Sequence, residues 1–422
     1  MTASSNDFYE VATLDGYRPG DLVRTRPVFV AQLSEARGAW QVIYVSTNSR
    51  SEPIAALGIV LIPEAVADPG ATAILVYCPG FRGLGGVCAP SQLLAIGAEP
   101  DTTGIDAALR RGWVVAIPDG EGLGLTGAGP HTFLAARAGG RVALDLARAV
   151  YRGADLGVAV APVVAWGYAD GGRAVAAAGE LHPWYAPELD LRGIAAGAVA
   201  SDLAAVAPAF NRGEATGLGL AALVGLSHAY EHLPLRHVLS EDGVRAVEQA
   251  QHLTAAELLQ QFPQPVGHWC RRPEPWNDHW WRRVLAMETL AHTRPAMPLH
   301  LYHGGLDIVV PVRAGRRTLI AYRQRGTQVD WREYDADHRS TAHLAISDVL
   351  ARLTVDITSR PPHQPPHDTG GTGGRTHEPP LTPPGKPART PQPPLPRGAG
   401  RPPEHRPSRG EMNDEVPPQP NR

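Results

Sequence analysis

Six consecutive residues, Gly167-Tyr168-Ala169-Asp170-Gly171-Gly172, constrain this chain more than any other stretch. An apolar run, Val163 to Trp166, precedes them, and a helix-forming stretch, Arg173 to Glu180, follows. A strand, a sharp turn with glycine on either side of its apex, and a helix make up the layout of a nucleophile elbow, usually written G-x-S-x-G. Such a turn tolerates no bulky neighbour and normally presents Ser, rarely Cys or Asp. Here the apex is Ala169, whose methyl group has no lone pair with which to attack.

Three explanations fit that alanine. The chain is a natural pseudoenzyme, or the alanine inactivates an otherwise working enzyme, or another residue has taken over. Asp170 is the nearest substitute, but it would need small residues on both sides of its turn, and Tyr168 is not small. Ser91 and Ser201 lie outside the elbow.

The rest of the body alternates apolar runs with amphipathic patterns. Gln41–Ser46, Leu57–Ile62, Ala73–Tyr77, Trp113–Ile117, Val163–Trp166, Gly193–Ala200, Leu299–His303 and Val329–Tyr334 read as strands. The first two follow each other without a helix between them and predict an antiparallel pair. Val142, Leu146 and Val150 share a helix face, as do Leu350, Leu353 and Ile357. Strands alternating with helices predict a mostly parallel sheet covered on both faces. No convincing strand falls in 208–295. That stretch holds the run Leu218 to Leu226, a capping-box pattern at Thr254-Ala255-Ala256-Glu257, and Trp269, Trp276, Trp280 and Trp281. It reads as a helical cap inserted above the sheet, with 1–207 and 296–359 as the core. From Pro361 onward Pro, Gly, Thr, His and Arg dominate, and such a segment cannot bury enough surface to offset its ordering entropy. Residues 360–422 therefore read as a disordered tail. Pro391 to Arg397 suits a polyproline II segment that would dock on a partner; the alternative is a solvated tail without a specific ligand.

With a net charge of −3 over 422 residues, the chain gives no electrostatic case for nucleic acid as a partner. Its three cysteines, Cys78, Cys88 and Cys270, cannot all pair, and no C-x-x-C spacing points to a metal. One Cys88–Cys270 bridge or three buried thiols are the alternatives. The polar start Met1 to Asp7 lacks the features of a signal peptide, so the expectation as written is a cytoplasmic location, and no stretch suggests a transmembrane segment.

After an elbow, an acid and then a histidine should follow in chain order. Asp307 lies just past the strand Leu299–His303, and His338 just past Val329–Tyr334. Their separation of 31 residues suits one helix and one strand. His343 is the second choice. Asp335, Asp337, His338 and His343 also resemble a metal cluster, but the acid–histidine order accounts for His338 better, so neither a metal nor an organic cofactor is expected. Backbone amides for a developing oxyanion would come from Asp170 and from one of two early loops, Pro79-Gly80-Phe81-Arg82-Gly83 or Pro118-Asp119-Gly120-Glu121-Gly122.

Several of these pieces together resemble the secretory lipases of the α/β-hydrolase superfamily, the fungal and actinobacterial triacylglycerol lipases. Trp40 to Thr47 is similar to that family's opening strand. Gly80 to Gly85 followed by Cys88-Ala89-Pro90-Ser91 is similar to its glycine-rich loop and C-A-P-S signature. Asp119 to Gly122 is similar to its second loop, and Tyr185 to Leu189 follows the elbow helix as its pattern has it. The resemblance spans roughly residues 8–358. It implies an α/β-hydrolase fold and acyl-ester hydrolysis in lipid catabolism, with an acyl ester or lipid as the partner. By it, the catalytic acid falls on Asp307, the base on His338, the oxyanion-hole residues on Asp119 and Asp170, and the nucleophilic serine on Ala169. The chain departs from the pattern at Pro79, where His is common, in lacking a secretion signal, and in its long Pro-rich tail. The expectation is an impaired or inactive acyl hydrolase, or else a lipid- or ester-binding pseudoenzyme.

Overall fold

A computed structural model describes residues 7–64, 73–153, 156–158, 160–212 and 215–359. The tail reading, including its proline motif, falls outside them. Nine strands form one sheet: β1 (Leu22–Val28), β2 (Ala36–Thr47), β3 (Pro53–Pro63), β4 (Ile74–Cys78), β5 (Val114–Pro118), β6 (Val163–Tyr168), β7 (Leu191–Gly197), β8 (Leu299–Gly304) and β9 (Val329–Tyr334). Their order is β1-β2-β3-β5-β4-β6-β7-β8-β9. The first three pairings, as far as β3 with β5, are antiparallel, and all later ones are parallel. The antiparallel pair foreseen in the sequence is β2–β3. β1 was not foreseen.

Among the described residues twelve α-helices accompany the sheet. They are α1 (Pro90–Ala95), α2 (Thr103–Leu109), α3 (Ala136–Arg152), α4 (Asp170–Tyr185), α5 (Leu203–Val206), α6 (Thr216–Ala229), α7 (Glu241–Ala250), α8 (Ala255–Gln261), α9 (His279–Met287), α10 (Val312–Gln324), α11 (His338–Leu344) and α12 (Ile346–Ser359). The inner strands bury both faces, and their successive residues alternate between two cores. Val114, Ala116, Val163 and Ala165 pack with α3, α4 and α10, whereas Val115, Ile117, Val164 and Trp166 pack with α2 and α12. This period-two alternation is what a sheet covered on both sides requires. Among the described residues no helix is long and apolar enough to cross a membrane. All three thiols are buried and free, so Cys88 and Cys270 do not pair.

Between β7 and β8 the chain makes α5 to α9 and no strand of the sheet. The helices begin at Leu203, upstream of 208, because the Asp202 carboxylate accepts the Ala204 and Ala205 amides and starts α5 there. The foreseen capping box opens α8, with reciprocal bonds between Thr254 and Glu257. These helices share a separate apolar core with Phe133, Leu134, Ala135 and Ala138. They also touch the loop after β4, where Leu84 donates to the Leu253 carbonyl at 2.9 Å and Ala255 donates to that of Arg82 at 2.8 Å. The insertion thus rests on loops at the carboxyl ends of the parallel strands, where open α/β sheets bind their ligands.

Candidate active site

The turn between β6 and α4 is tight because two side chains are missing from it. A Cβ on Gly167 would lie 2.2 Å from the Gly171 carbonyl oxygen, and one on Gly171 would lie 2.0 Å from that of Cys78. Ala169, between them, has φ 53° and ψ −110°, a conformation that L residues adopt only under strain. Its amide donates to the Gly197 carbonyl at 2.9 Å, which ties the apex to β7. Ala169 is the N-cap residue of α4 and has no side-chain oxygen to cap it. The first amides of α4 therefore have no intrahelical acceptor.

The structure brings Asp307 and His338 together. Asp307 Oδ2 accepts a 2.6 Å hydrogen bond from His338 Nδ1, and Oδ1 accepts the Val309 and Val310 amides at 2.9 and 2.8 Å. The carboxylate is thereby buried and fixed, and it fixes the imidazole with Nε2 as its free edge. His338 is the first residue of α11, capped by Asp337, which accepts the Ser340 amide at 2.7 Å. The Tyr168 hydroxyl donates to the His338 carbonyl at 2.6 Å, and the two rings lie 5.0 Å apart. That contact sets the histidine beside the elbow. His343, the second choice, is half exposed at the other end of α11 and lies 3.9 Å from Asp101. No pattern in the sequence singled out His303, which is fully buried with Nε2 3.6 Å from Asp307 Oδ2 and 2.8 Å from the Val310 carbonyl. Burial lowers its pKa, so it backs the acid as a neutral ring.

Asp119 is placed differently from the expectation that its amide faces the oxyanion. That amide donates to the Leu57 carbonyl at 2.9 Å and extends the β3–β5 ladder. Its carboxylate accepts the Ser91 amide at 2.7 Å and the Ser91 hydroxyl at 2.6 Å. Ser91 belongs to the C-A-P-S stretch and lies in the first turn of α1, whose N-cap residue is Ala89. Asp119 therefore caps that helix from a distant strand. Burial pushes its pKa up to about 7. The other early loop fits better: the Gly80 and Phe81 amides have no acceptor among the described residues, and Gly80 lies against the Tyr168 carbonyl. The Asp170 amide opens α4, but its side chain turns away, with Oδ1 accepting the Leu134 amide at 3.1 Å and Oδ2 3.2 Å from His131 Nε2. That carboxylate is committed elsewhere and is no substitute nucleophile. Ser201 lies away from the apex, its amide donating to Thr318 Oγ1 at 2.8 Å.

Two hollows matter here, one against the turn and one among the inserted helices. One, about 600 Å³ and open to solvent, is lined by Gly80, Phe81, Asp119, Glu121, His131 and Asp170. The other, about 450 Å³ and almost wholly apolar, is lined by Leu134, Phe210, Leu223, Leu226, Trp276 and Trp281. Two of the four clustered tryptophans thus line an apolar hollow.

The sheet order and the strand–turn–helix elbow define an α/β-hydrolase fold. The sequence model of the secretory lipase family matches residues 88–360, and the chain belongs to that family. It is 28% identical over 365 residues to a Mycobacterium tuberculosis protein described as a "probable inactive lipase", covering 81% of this chain and 79% of that one. Identity to lipase 6 of Candida albicans is also 28%, over 74% of this chain and 71% of that one. Among solved structures, Candida antarctica lipase A in its closed state superposes with a TM-score of 0.76 at 22% identity, covering 86% and 87% of the two chains.

Proposed function

We propose that this chain keeps the acyl-ester site of a lipase and lacks the atom that begins the reaction. The observation that carries the reading is the 2.6 Å His338–Asp307 bond beside a strained elbow whose apex is a methyl group. With serine at 169, the hydroxyl oxygen would attack the ester carbon while His338 Nε2 takes its proton. The Gly80 or Phe81 amide and the Asp170 amide would hold the oxyanion, and His338 would return the proton to the leaving alkoxide. The acyl chain would occupy the apolar pocket under the 208–295 cap, and water would then release it by the same steps. Asp307 orients the imidazole and stabilises its charged form.

Without the serine, turnover falls by about 10⁶-fold, as in other triad hydrolases stripped of their nucleophile. Only the roughly 10³–10⁴-fold advantage over water that binding and the oxyanion site supply would remain. The expected result is negligible hydrolysis of p-nitrophenyl esters by the native chain, and strong hydrolysis with covalent fluorophosphonate labelling by Ala169→Ser. A folded serine variant that neither hydrolyses nor labels would remove this reading.

A second reading, lipid or ester binding without hydrolysis, draws on the intact apolar pocket. Saturable binding of an uncharged acyl ester by the native chain favours it, and a serine variant that binds but does not hydrolyse would favour it further.

A further inference from the structure

His131 meets three segments of the chain, and none of the chemistry above uses it. Its Nε2 lies 3.2 Å from Asp170 Oδ2 and its Nδ1 lies 3.1 Å from the Glu121 carbonyl oxygen. Both partners only accept. A neutral imidazole has one N–H, so it satisfies one of them and turns a lone pair on the other, whereas the imidazolium donates to both. The ring is stacked beside Phe81 at 6.1 Å, and Phe81 is stacked on Phe133 at 4.1 Å. A Cβ at Gly120 would lie 2.8 Å from His131 Cε1, so the loop after β5 comes against the ring with only backbone.

The other oxygen of Asp170 holds the Leu134 amide. Leu134 has φ 71°, where a leucine needs outside support, and its side chain forms part of the apolar pocket. One carboxylate thus joins the first residue of α4, the ring of His131 and the wall of that pocket. The charged groups facing His131 are Asp170 from α4 and Glu121 from the loop after β5, whose own carboxylate accepts from Ser49 and Thr132. The loop after β4 contributes the uncharged Phe81.

We propose that His131 is a positioning residue that, as an imidazolium, staples the start of α4 to the loop after β5 and, through Asp170, holds Leu134 in the wall of the apolar pocket. Loss of one proton leaves a lone pair facing an acceptor on one side of the ring, so that side of the staple opens. Burial pulls the pKa of His131 down, but the bonds to Asp170 and Glu121 outweigh it and the net shift is upward. The staple stands on its own geometry. Its effect on acyl binding rests on the reading of the pocket given above.

Carbon-edited NMR on the full chain tests the staple, with the His131 signal assigned by its absence in His131→Gln. Its midpoint should lie above the ordinary histidine value of about 6.5 and should fall in Asp170→Asn. A midpoint at or below the ordinary value, or one unmoved by Asp170→Asn, overturns the staple. The coupling is read from fluorescence binding of methyl cis-parinarate, a probe without charge of its own. Affinity should weaken roughly tenfold, the order of one lost hydrogen bond, along the His131 titration, and should be flat with pH in His131→Gln. Asp119 also titrates near neutrality, so the expected dependence must persist in Asp119→Asn. A flat native profile overturns the coupling. Failure of the ester to bind at any pH removes the pocket reading and the coupling with it, while the NMR titration still decides the staple.

Discussion

Ala169 keeps a backbone conformation that suits a catalytic serine and gives an alanine nothing in return. At φ 53° and ψ −110° a Cβ is strained by about 1–3 kcal/mol, while glycine adopts such angles freely at an unfolded-state entropy cost of about 0.5–1 kcal/mol. Ala169→Gly should therefore stabilise the fold by about 1 kcal/mol, read as a higher urea midpoint at unchanged slope. Asp119 carries the opposite expectation. Asp119→Leu leaves the Ser91 amide and hydroxyl proton buried without acceptors and should cost about 2–5 kcal/mol, whereas Asp119→Asn keeps an acceptor for the amide and should cost far less. Asp307 and His338 were legible in the sequence because chain order and a 31-residue spacing are properties of a crossover unit. The place of Asp119 was not, because a sequence shows where a strand ends but not which amide completes its ladder. His131 and His303 were silent for a similar reason: their partners lie on other elements or in backbone carbonyls.

Three helices at the site begin after an alanine that cannot cap them: α1 after Ala89, α3 after Ala135 and α4 after Ala169. Two receive a carboxylate from elsewhere. Asp119 serves α1, and Glu288, just past α9, accepts the Ala136 amide of α3 at 2.8 Å. Glu288 is fully buried and also accepts the Tyr230 hydroxyl at 2.6 Å, so one side chain joins α3 to the inserted helices. Glu288→Ala should cost about 2–4 kcal/mol by stranding both donors, with Glu288→Gln much milder, as denaturant titration would show. At the start of α4 the amides next to Ala169 have no such oxygen among the described residues. Strands and long helices were legible from their periods. β1 was not: Leu22–Val28 reads Leu-Val-Arg-Thr-Arg-Pro-Val, an edge strand with charges and a proline, which protects a sheet edge and hides the apolar pattern.

Across the molecule, four enclosed carboxylates lean one way. Burial raises Asp119 to about 7 and holds Glu121, Asp145 and Glu180 above the ordinary range. At these four groups the folded chain binds more protons than the unfolded chain as pH rises from about 4. The contribution of these groups is fully present below the unfolded carboxyl values of about 4 and is lost as pH rises through the folded ones. For Asp119 that window runs from about 4 to about 7, and Asp119→Asn should flatten the fall of the urea midpoint across it. Composition and period suggested a division into sheet and insertion, but not the footing of the inserted helices on the loops after β4 and β5, since no local pattern encodes a contact between segments so far apart.

The unpaired sulfurs make this architecture readable in time. Cys78 sits in β4 at the centre of the sheet, Cys88 precedes α1, and Cys270 lies among the inserted helices. Burial pushes their pKa values up to about 12, 11 and 12, so each stays a sluggish thiol until its surroundings open. Pulsed alkylation in rising urea, followed by peptide mass mapping, should mark Cys270 before Cys78. Simultaneous marking would show that the roof and the floor of the cleft come apart as one body.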